Sequence, residues 1–217
     1  MKGIIQYITE KLKITKDNID NVHKGEYKYF PKDNEELNNI LLQKIEDSKN
    51  GTLDVSDINI SNLEILSGIF AFDEMKYINN IIGLDSWDVS GISEINYLFS
   101  GCTKLKEIHG LENWDTSNIK EMVGVFFLCS DLTSLNLTDW DMSSVTSTKN
   151  MFACCYNLKT VGDINNWKIK NISDPYYLDR FKFMFDNCKK LKLDISNWKL
   201  PFNGRKYVVN SPHIKKY

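Results

Sequence analysis

The chain has 217 residues, of which 42% are hydrophobic and 12% aromatic, and its formal net charge is −2. This apolar content is enough for a continuous core, which excludes an intrinsically disordered chain. The near-neutral charge excludes a global field that would attract nucleic acid or anionic lipid. No stretch reaches the roughly eighteen consecutive apolar residues that a membrane span requires.

Residues 1–28 are predicted to be an amphipathic segment followed by a linker. Polar residues such as Gln6 and Thr9 interrupt its apolar run early, so we expect no secretion signal. On a helix, four apolar residues align along one side, which makes them a candidate segment for docking onto a partner protein: Ile4, Ile5, Ile8 and Leu12. The alternative is a helix that packs on the element that follows or frays.

Residues 29–52 are predicted to form a helical cap. Asp33 or Asn34 is a suitable N-cap for a helix that runs to about Asp47, and Asp33 and Glu36 have the spacing of a capping box. The helix has one apolar face that we expect to cover the first unit of the array that follows: Leu37, Ile40, Leu41 and Ile45.

Residues 53–200 contain an internal repeat of about five units. Its clearest mark is the tryptophan series, spaced by 27, 26, 27 and 31 residues: Trp87, Trp114, Trp140, Trp167 and Trp198. Four copies of Phe-x2-Cys-x2-Leu follow in phase, with these cysteines: Cys102, Cys129, Cys155 and Cys188. The fourth interval contains an insertion around Ser173, Asp174 and Pro175.

Each unit is predicted to contain a short strand, a turn with the tryptophan, a helix and a return. Apolar residues at three- and four-residue spacing from Ile92 to Cys102 indicate the helix. Serines precede such stripes as candidate N-caps, and aspartates follow the tryptophans as turn residues: Ser90, Ser117, Ser143, Asp88, Asp115 and Asp141. Stacked units predict an α/β, curved leucine-rich-repeat solenoid with parallel strands on the concave face, helices on the convex face and a tryptophan ladder inside.

The segments "LENWDTSNIKEMVGVFFLC" and "LNLTDWDMSSVTSTKNMFACC" resemble the BspA-like, mycoplasma-type surface-protein leucine-rich repeats. The likeness covers about residues 29–200, because "YFPKDNEELNNILLQKIEDS" is similar to the helical cap that commonly precedes such arrays. The resemblance implies a leucine-rich-repeat fold and, from many relatives, a surface adhesin. Separately, "MKGIIQYITEKLKI" resembles the opening segment of assorted proteins of crAss-like bacteriophages.

Residues 201–217 are predicted to be a C-terminal cap and tail. Trp167 and Trp198 are followed by lysine rather than aspartate, which we interpret as the decay of the pattern in terminal units. A last edge strand is predicted at Tyr207, Val208 and Val209, and the remaining tail is basic.

The residues do not point to catalysis, a metal site or a cofactor. One cysteine per unit spreads the four phased thiols over about 15 Å, whereas tetrahedral zinc needs four sulfurs within about 2.3 Å. We therefore predict buried free thiols. Of the three histidines only His109 lies in the array, at an outward strand position, so the core-facing cysteines cannot reach it. No glycine loop suited to phosphate occurs.

What remains is a polar strip of mixed charge on outward strand positions and adjoining turns: Lys106, Glu107, His109, Glu112, Asn113, Thr133, Ser134, Asn136, Lys159, Thr160, Asp163, Lys192 and Asp194. It suits recognition of a protein or a glycan and lacks the basic dominance of a nucleic-acid groove. We therefore expect a non-enzymatic interaction module, associated with a phage virion or in the host cytoplasm. The alternative is a bacterial cell-surface adhesin. The sequence leaves the partner and the oligomeric state open.

Overall fold

The computed structural model describes residues 27–48, 50–170, 173–174, 178–201 and 204–208. Within them the fold is mixed α/β, as predicted. It contains helix α1 (Asn34–Asp47), strands β1 (Thr52–Asp54), β2 (Asn80–Ile82) and β3 (Glu107–Ile108), and helix α2 (Gly204–Val208). Short 3₁₀ helices lie at Asp73–Tyr77, Leu84–Ser86, Leu111–Asn113 and Leu178–Phe181. The predicted docking segment Ile4, Ile5, Ile8 and Leu12 lies outside the described residues.

Helix α1 begins and ends as the sequence predicts. The Asp33 carboxylate accepts the backbone N–H of Glu36 at 2.9 Å, which satisfies one of the free donors of the first turn. In a capping box the Glu36 carboxylate would accept the N–H of Asp33. Here it accepts the N–H of Lys32, one residue earlier. Leu37 and Leu41 are fully buried, so the apolar face of α1 joins the core beside β1.

The three strands form one parallel sheet in the order β1-β2-β3. Leu53 pairs with Ile81, and Ile81 with Ile108, so equivalent residues of successive repeats lie side by side. The same parallel register recurs outside the strands in isolated bridges, which link Glu94 to Glu121 and Glu121 to Ser147. Neighbouring repeats are therefore joined through their backbones on two sides of the unit.

The helix predicted from Ile92 to Cys102 is wrong. The segment consists of consecutive turns. Alternate N–H groups from Ile95 to Gly101 bond to the next repeat, and those of Leu98, Ser100 and Cys102 bond to the carbonyl three residues earlier. No N–H of this stretch therefore makes the α-helical bond to the fourth residue back. Tyr97 N–H reaches the Val123 carbonyl at 2.7 Å, and Phe99 N–H reaches the Val125 carbonyl at 2.8 Å. Tyr97 also has a φ of 56°, which interrupts a right-handed helix.

The serines predicted as N-caps belong to turns as well. Ser90 donates its N–H to Asp88 Oδ1 at 3.0 Å and its hydroxyl to the same oxygen at 2.6 Å. Ser117 and Ser143 donate their N–H groups to Asp115 and Asp141 in the same way. The serine prediction was wrong, but the interpretation of the aspartates as turn residues is confirmed.

Aromatic residues form columns through the core. Consecutive phenylalanine rings stack with centroids 5.0, 5.5, 5.3 and 5.2 Å apart, close to the strand spacing of about 4.8 Å: Phe70, Phe99, Phe126, Phe152 and Phe185. Each tryptophan indole donates its N–H to a backbone carbonyl of the preceding repeat; Trp140, for example, donates to Leu111 at 2.8 Å. The predicted tryptophan ladder is thereby confirmed, because Trp114 and Trp140 also stack with centroids 6.2 Å apart.

The C-terminal end is helical where an edge strand was predicted. Tyr207 and Val208 lie in α2, and Val209 falls outside the described residues. The carbonyls of Tyr207 and Val208 accept the N–H groups of Phe183 and Phe185 at 2.6 and 3.2 Å. A short helix thus supplies the backbone acceptors that another repeat would have offered, and buried Val208 packs against the core.

Candidate recognition surface

Three lysines and a threonine of the predicted strip form one row across the repeats. Lys106 N–H donates to Asn79, Thr133 N–H to Lys106, Lys159 N–H to Thr133, and Lys192 N–H to Lys159, at 2.8 to 3.4 Å. The backbones are in register, so the side chains repeat at about 4.8 Å. The three lysines are exposed and Thr133 is half-buried. We call Lys106, Thr133, Lys159 and Lys192 the lysine row.

A second row lies one position further along the chain. Glu107 pairs with Asn80, and Ser134 forms a bridge with Thr160. Glu107, Ser134 and Thr160 are all exposed. His109, also exposed, places Nε2 3.2 Å from the Glu107 carboxylate. The surface beside the lysine row is therefore hydroxylic and acidic, which gives the strip the mixed charge that was predicted.

Several predicted strip residues hold turns. The side-chain oxygens of Asn136, Asp163 and Asp194 each accept the N–H of the residue two positions later, at 3.4, 3.2 and 2.8 Å. Glu112 accepts the N–H of Gly110 at 3.2 Å, and exposed Asn113 ends a 3₁₀ helix. These five residues shape the border of the strip, whereas the lysine row is free of such bonds within the described residues.

Hydrogen bonding shifts the acidity of one border residue. The backbone N–H and hydroxyl of Ser196, together with the nearby Arg205 guanidinium, lower the pKa of Asp194 below its ordinary value. Asp194 is therefore ionised through the neutral range. Its negative charge lies two residues after Lys192, at the end of the lysine row.

The described residues do not bring together a group that could bind a metal ion. No set of three or more His, Cys, Asp or Glu among them could hold a metal ion. Cys102, Cys129, Cys155 and Cys188 are free and buried, as predicted, and burial raises their thiol pKa values, to about 12 for Cys102 and Cys188. No helix in the described ranges has the length and apolarity to cross a bilayer.

Sequence reasoning missed a cavity of about 500 Å³ at the C-terminal end of the array. Its lining includes Trp167, Trp198 and the lysines that directly follow them. The signal was present, because lysine replaces the usual aspartate after both tryptophans. The change from aspartate to lysine is compatible with a terminal unit, but it also places two positive charges at the cavity.

Backbone-linked repeats, columns of identical side chains and an exposed polar strip define a repeat protein. The family model described as "Mycoplasma protein of unknown function, DUF285" matches residues 66–198, which is 133 of the 217 residues. The chain belongs to this family. Comparison with the curated proteins and with the solved structures gave no match.

Proposed function

We propose that the chain is a non-enzymatic binding module, a curved leucine-rich-repeat solenoid of the BspA type that contacts a protein partner with its strand side. The lysine row carries this proposal. Three exposed lysines, held in backbone register over four repeats with Thr133 between them, place their charges at fixed backbone positions, so only the side chains need ordering on binding. Parallel pairing of equivalent residues supports the solenoid.

An acidic protein surface fits the lysine row best. Lys159 and Lys192 occupy adjacent repeats, and Lys106 lies two repeats before Lys159, so positive charges repeat over a length of about 15 Å. Glu107 and Asp194 restrict this positive charge to a narrow band, whereas a nucleic-acid groove carries basic residues throughout. A glycan is the alternative ligand for the strip, since Ser134 and Thr160 offer exposed hydroxyls.

The thiols and the histidine support a role without chemistry. A cysteine nucleophile acts as the thiolate, and burial raises the pKa of Cys102 and Cys129, which favours the unreactive thiol. His109 is exposed on the strand side, where a buried cysteine does not meet it.

Two settings are proposed for the module. The resemblance of residues 1–14 to crAss-like phage proteins favours a virion, with this segment attaching the chain. The resemblance of the repeats to BspA-like surface proteins favours the alternative of a bacterial surface adhesin, and the matching family is described as a Mycoplasma protein. Fractionation of the native source separates them: co-purification with phage particles supports the first, and recovery in the bacterial envelope without phage overturns it.

Charge reversal tests the lysine row. We expect the triple variant Lys106→Glu, Lys159→Glu, Lys192→Glu to lower recovery of the native partner after in situ cross-linking at least tenfold. The matched control, Lys76→Glu, Lys120→Glu, Lys189→Glu, makes the same charge change at exposed sites outside the strip and should retain recovery within twofold. Equal recovery with both triple variants would show that the lysine row is not the contact surface.

A further inference from the structure

The cavity at the C-terminal end of the array has tryptophan in its wall. Trp167 and Trp198 stack with ring centroids 6.3 Å apart, and both line the cavity. Each is 7% exposed, compared with 3% for Trp87 and Trp140 and 4% for Trp114. The last two rings are thus mostly buried, and a narrow apolar edge of each borders the cavity.

Three exposed lysines surround these rings. Lys168, Lys170 and Lys199 line the cavity, and none of them forms an ion pair within the described residues. Lys168 and Lys199 stand where the earlier units carry the turn aspartate, so the charge of this edge changes sign. Among the described residues, no carboxylate lines the cavity.

Two carboxylates in turns beside the cavity accept backbone hydrogen bonds. Asp141 accepts the N–H of Ser143 at 2.8 Å, and Asp194 accepts the N–H of Ser196 at 2.8 Å. Asp194 also accepts the side-chain N–H of Asn165 at 3.3 Å. Neither carboxylate forms an ion pair with the three lysines that line the cavity.

Asparagine amides supply directed polar groups on the same wall. Asn165 Oδ1 accepts the N–H of Asn197 at 2.8 Å, and Asn197 Nδ2 donates to Asn166 Oδ1 at 3.4 Å. These bonds orient the amides and leave the Asn166 Nδ2 donor and the Asn197 Oδ1 acceptor for a ligand. A donor on one side-chain amide and an acceptor on its neighbour match two vicinal hydroxyl groups of a sugar.

We propose that this cavity binds a carboxylated sugar. A volume of about 500 Å³ lies in the range of small-molecule sites. The lysines bind the carboxylate, the asparagine amides bind ring hydroxyls, and the tryptophan edges contact the apolar C–H face of the ring. A simple anion would leave the amides and tryptophans unused, and a neutral sugar would leave the lysines unpaired. The site is separate from the lysine row and independent of the function proposed above.

Titration of the ¹⁵N-labelled full chain with methyl glucuronide tests the proposal, with the five tryptophan indole N–H signals as the readout. Saturable shifts are expected for Trp167 and Trp198, and unchanged signals for Trp87 and Trp114. Methyl glucoside, which lacks the carboxylate, and inorganic phosphate, which lacks the ring, should each bind at least tenfold more weakly. Phosphate binding as tight as glucuronide, shifts shared by all five tryptophans, or no saturable shift would each overturn the proposal.

Two double variants locate the site. Lys168→Glu with Lys199→Glu should weaken methyl glucuronide binding at least tenfold while the indole spectrum of the free protein shows retained folding. Lys106→Glu with Lys159→Glu, in the lysine row, should leave binding within twofold. This pair separates failure of the sugar site from failure of the protein-binding strip. A glutamate-rich peptide that binds the cavity tenfold more tightly than the glucuronide would assign the site to a protein ligand instead.

Discussion

The Cys129 thiol donates a hydrogen bond to the carbonyl oxygen of Phe99, one repeat earlier, at 3.0 Å. The same bond joins each phased cysteine to the phenylalanine of the preceding repeat. A cysteine in this place is small enough for the packed column, and its S–H is a second donor to a carbonyl that already accepts a backbone N–H, as Phe99 does from Cys102 at 3.2 Å. The Phe-x2-Cys pattern thus links neighbouring repeats through a side chain as well as through the backbone.

Thiol labelling should separate the fifth cysteine from these four. Cys154 is half-buried, whereas the four phased thiols are fully enclosed. We expect an aromatic disulfide reagent to modify one thiol in the native protein and five in denaturant, measured by absorbance. Cys154→Ser should leave no rapidly reacting thiol in the native state. Rapid modification of two or more thiols in the native protein would contradict the enclosed column.

The buried thiols should also make the protein less stable in alkali. An unfolded thiol has a pKa of about 8.5, and burial raises the pKa of Cys102 to about 12 in the folded state. Between these values the unfolded chain releases the proton while the native chain keeps it. The free energy of unfolding therefore falls as pH rises, by at most about 1.4 kcal/mol per pH unit for each thiol.

Urea denaturation under reducing conditions at pH 8, 9 and 10 measures this slope. Cys102→Ala removes one titrating thiol and should flatten the slope by up to about 1.4 kcal/mol per pH unit. Tyrosines and lysines also titrate in this range, but they are the same in both proteins and cancel in the comparison. Identical slopes for the variant and the parent would rule out a raised thiol pKa.

Gly110 fixes a close approach between two repeats. Its φ is +100°, and a Cβ atom built on it would lie 2.3 Å from the backbone nitrogen of Asp85. Gly110→Ala should therefore lower the free energy of unfolding by at least about 1–3 kcal/mol, the cost of the strained backbone alone. Gly91→Ala is the control, since a Cβ there meets open space, and should change stability by less than about 1 kcal/mol. Equal losses in urea denaturation would contradict the close approach.

The repeat positions could be predicted because packing repeats with the sequence. Tryptophan recurs at the position of Trp140, and phenylalanine at the position of Phe126, in successive units. This periodicity was enough to assign both positions to the core. Helix α1 was predictable from local chemistry, since Asp33 and Glu36 mark its start. The repeat periodicity reveals positions that recur in each unit. The N-cap of α1 reveals a contact made between residues close together in the chain.

The helix error has a different origin. Apolar residues three and four apart suit a helix, but they equally suit consecutive turns that bond to a neighbouring chain segment. The left-handed conformation of Tyr97 and Leu128 decides between them, and no glycine marks either position. At the C-terminus, Tyr207 and Val208 have strand propensity, which is overridden because their carbonyls must meet Phe183 and Phe185.

Two buried threonines offer a matched test of hydrogen bonding in the core. Thr148 is fully buried, and its hydroxyl contacts only the sulfur of Met184, at 3.5 Å, a weak acceptor. Thr116 is equally enclosed but donates to the carbonyl of Asp141 at 3.0 Å. A buried hydroxyl without a good partner costs free energy, whereas a satisfied one contributes about 1 kcal/mol.

Valine has nearly the same shape as threonine and lacks the hydroxyl, so substitution isolates this difference. Thr148→Val should raise the free energy of unfolding by about 1 kcal/mol, because it removes a poorly satisfied polar group from the core. Thr116→Val should lower it by about 1 kcal/mol or more, because the Asp141 carbonyl loses its donor. Urea denaturation of both variants measures the two changes. Changes of the same sign would mean that packing, and not hydrogen bonding, distinguishes the two sites.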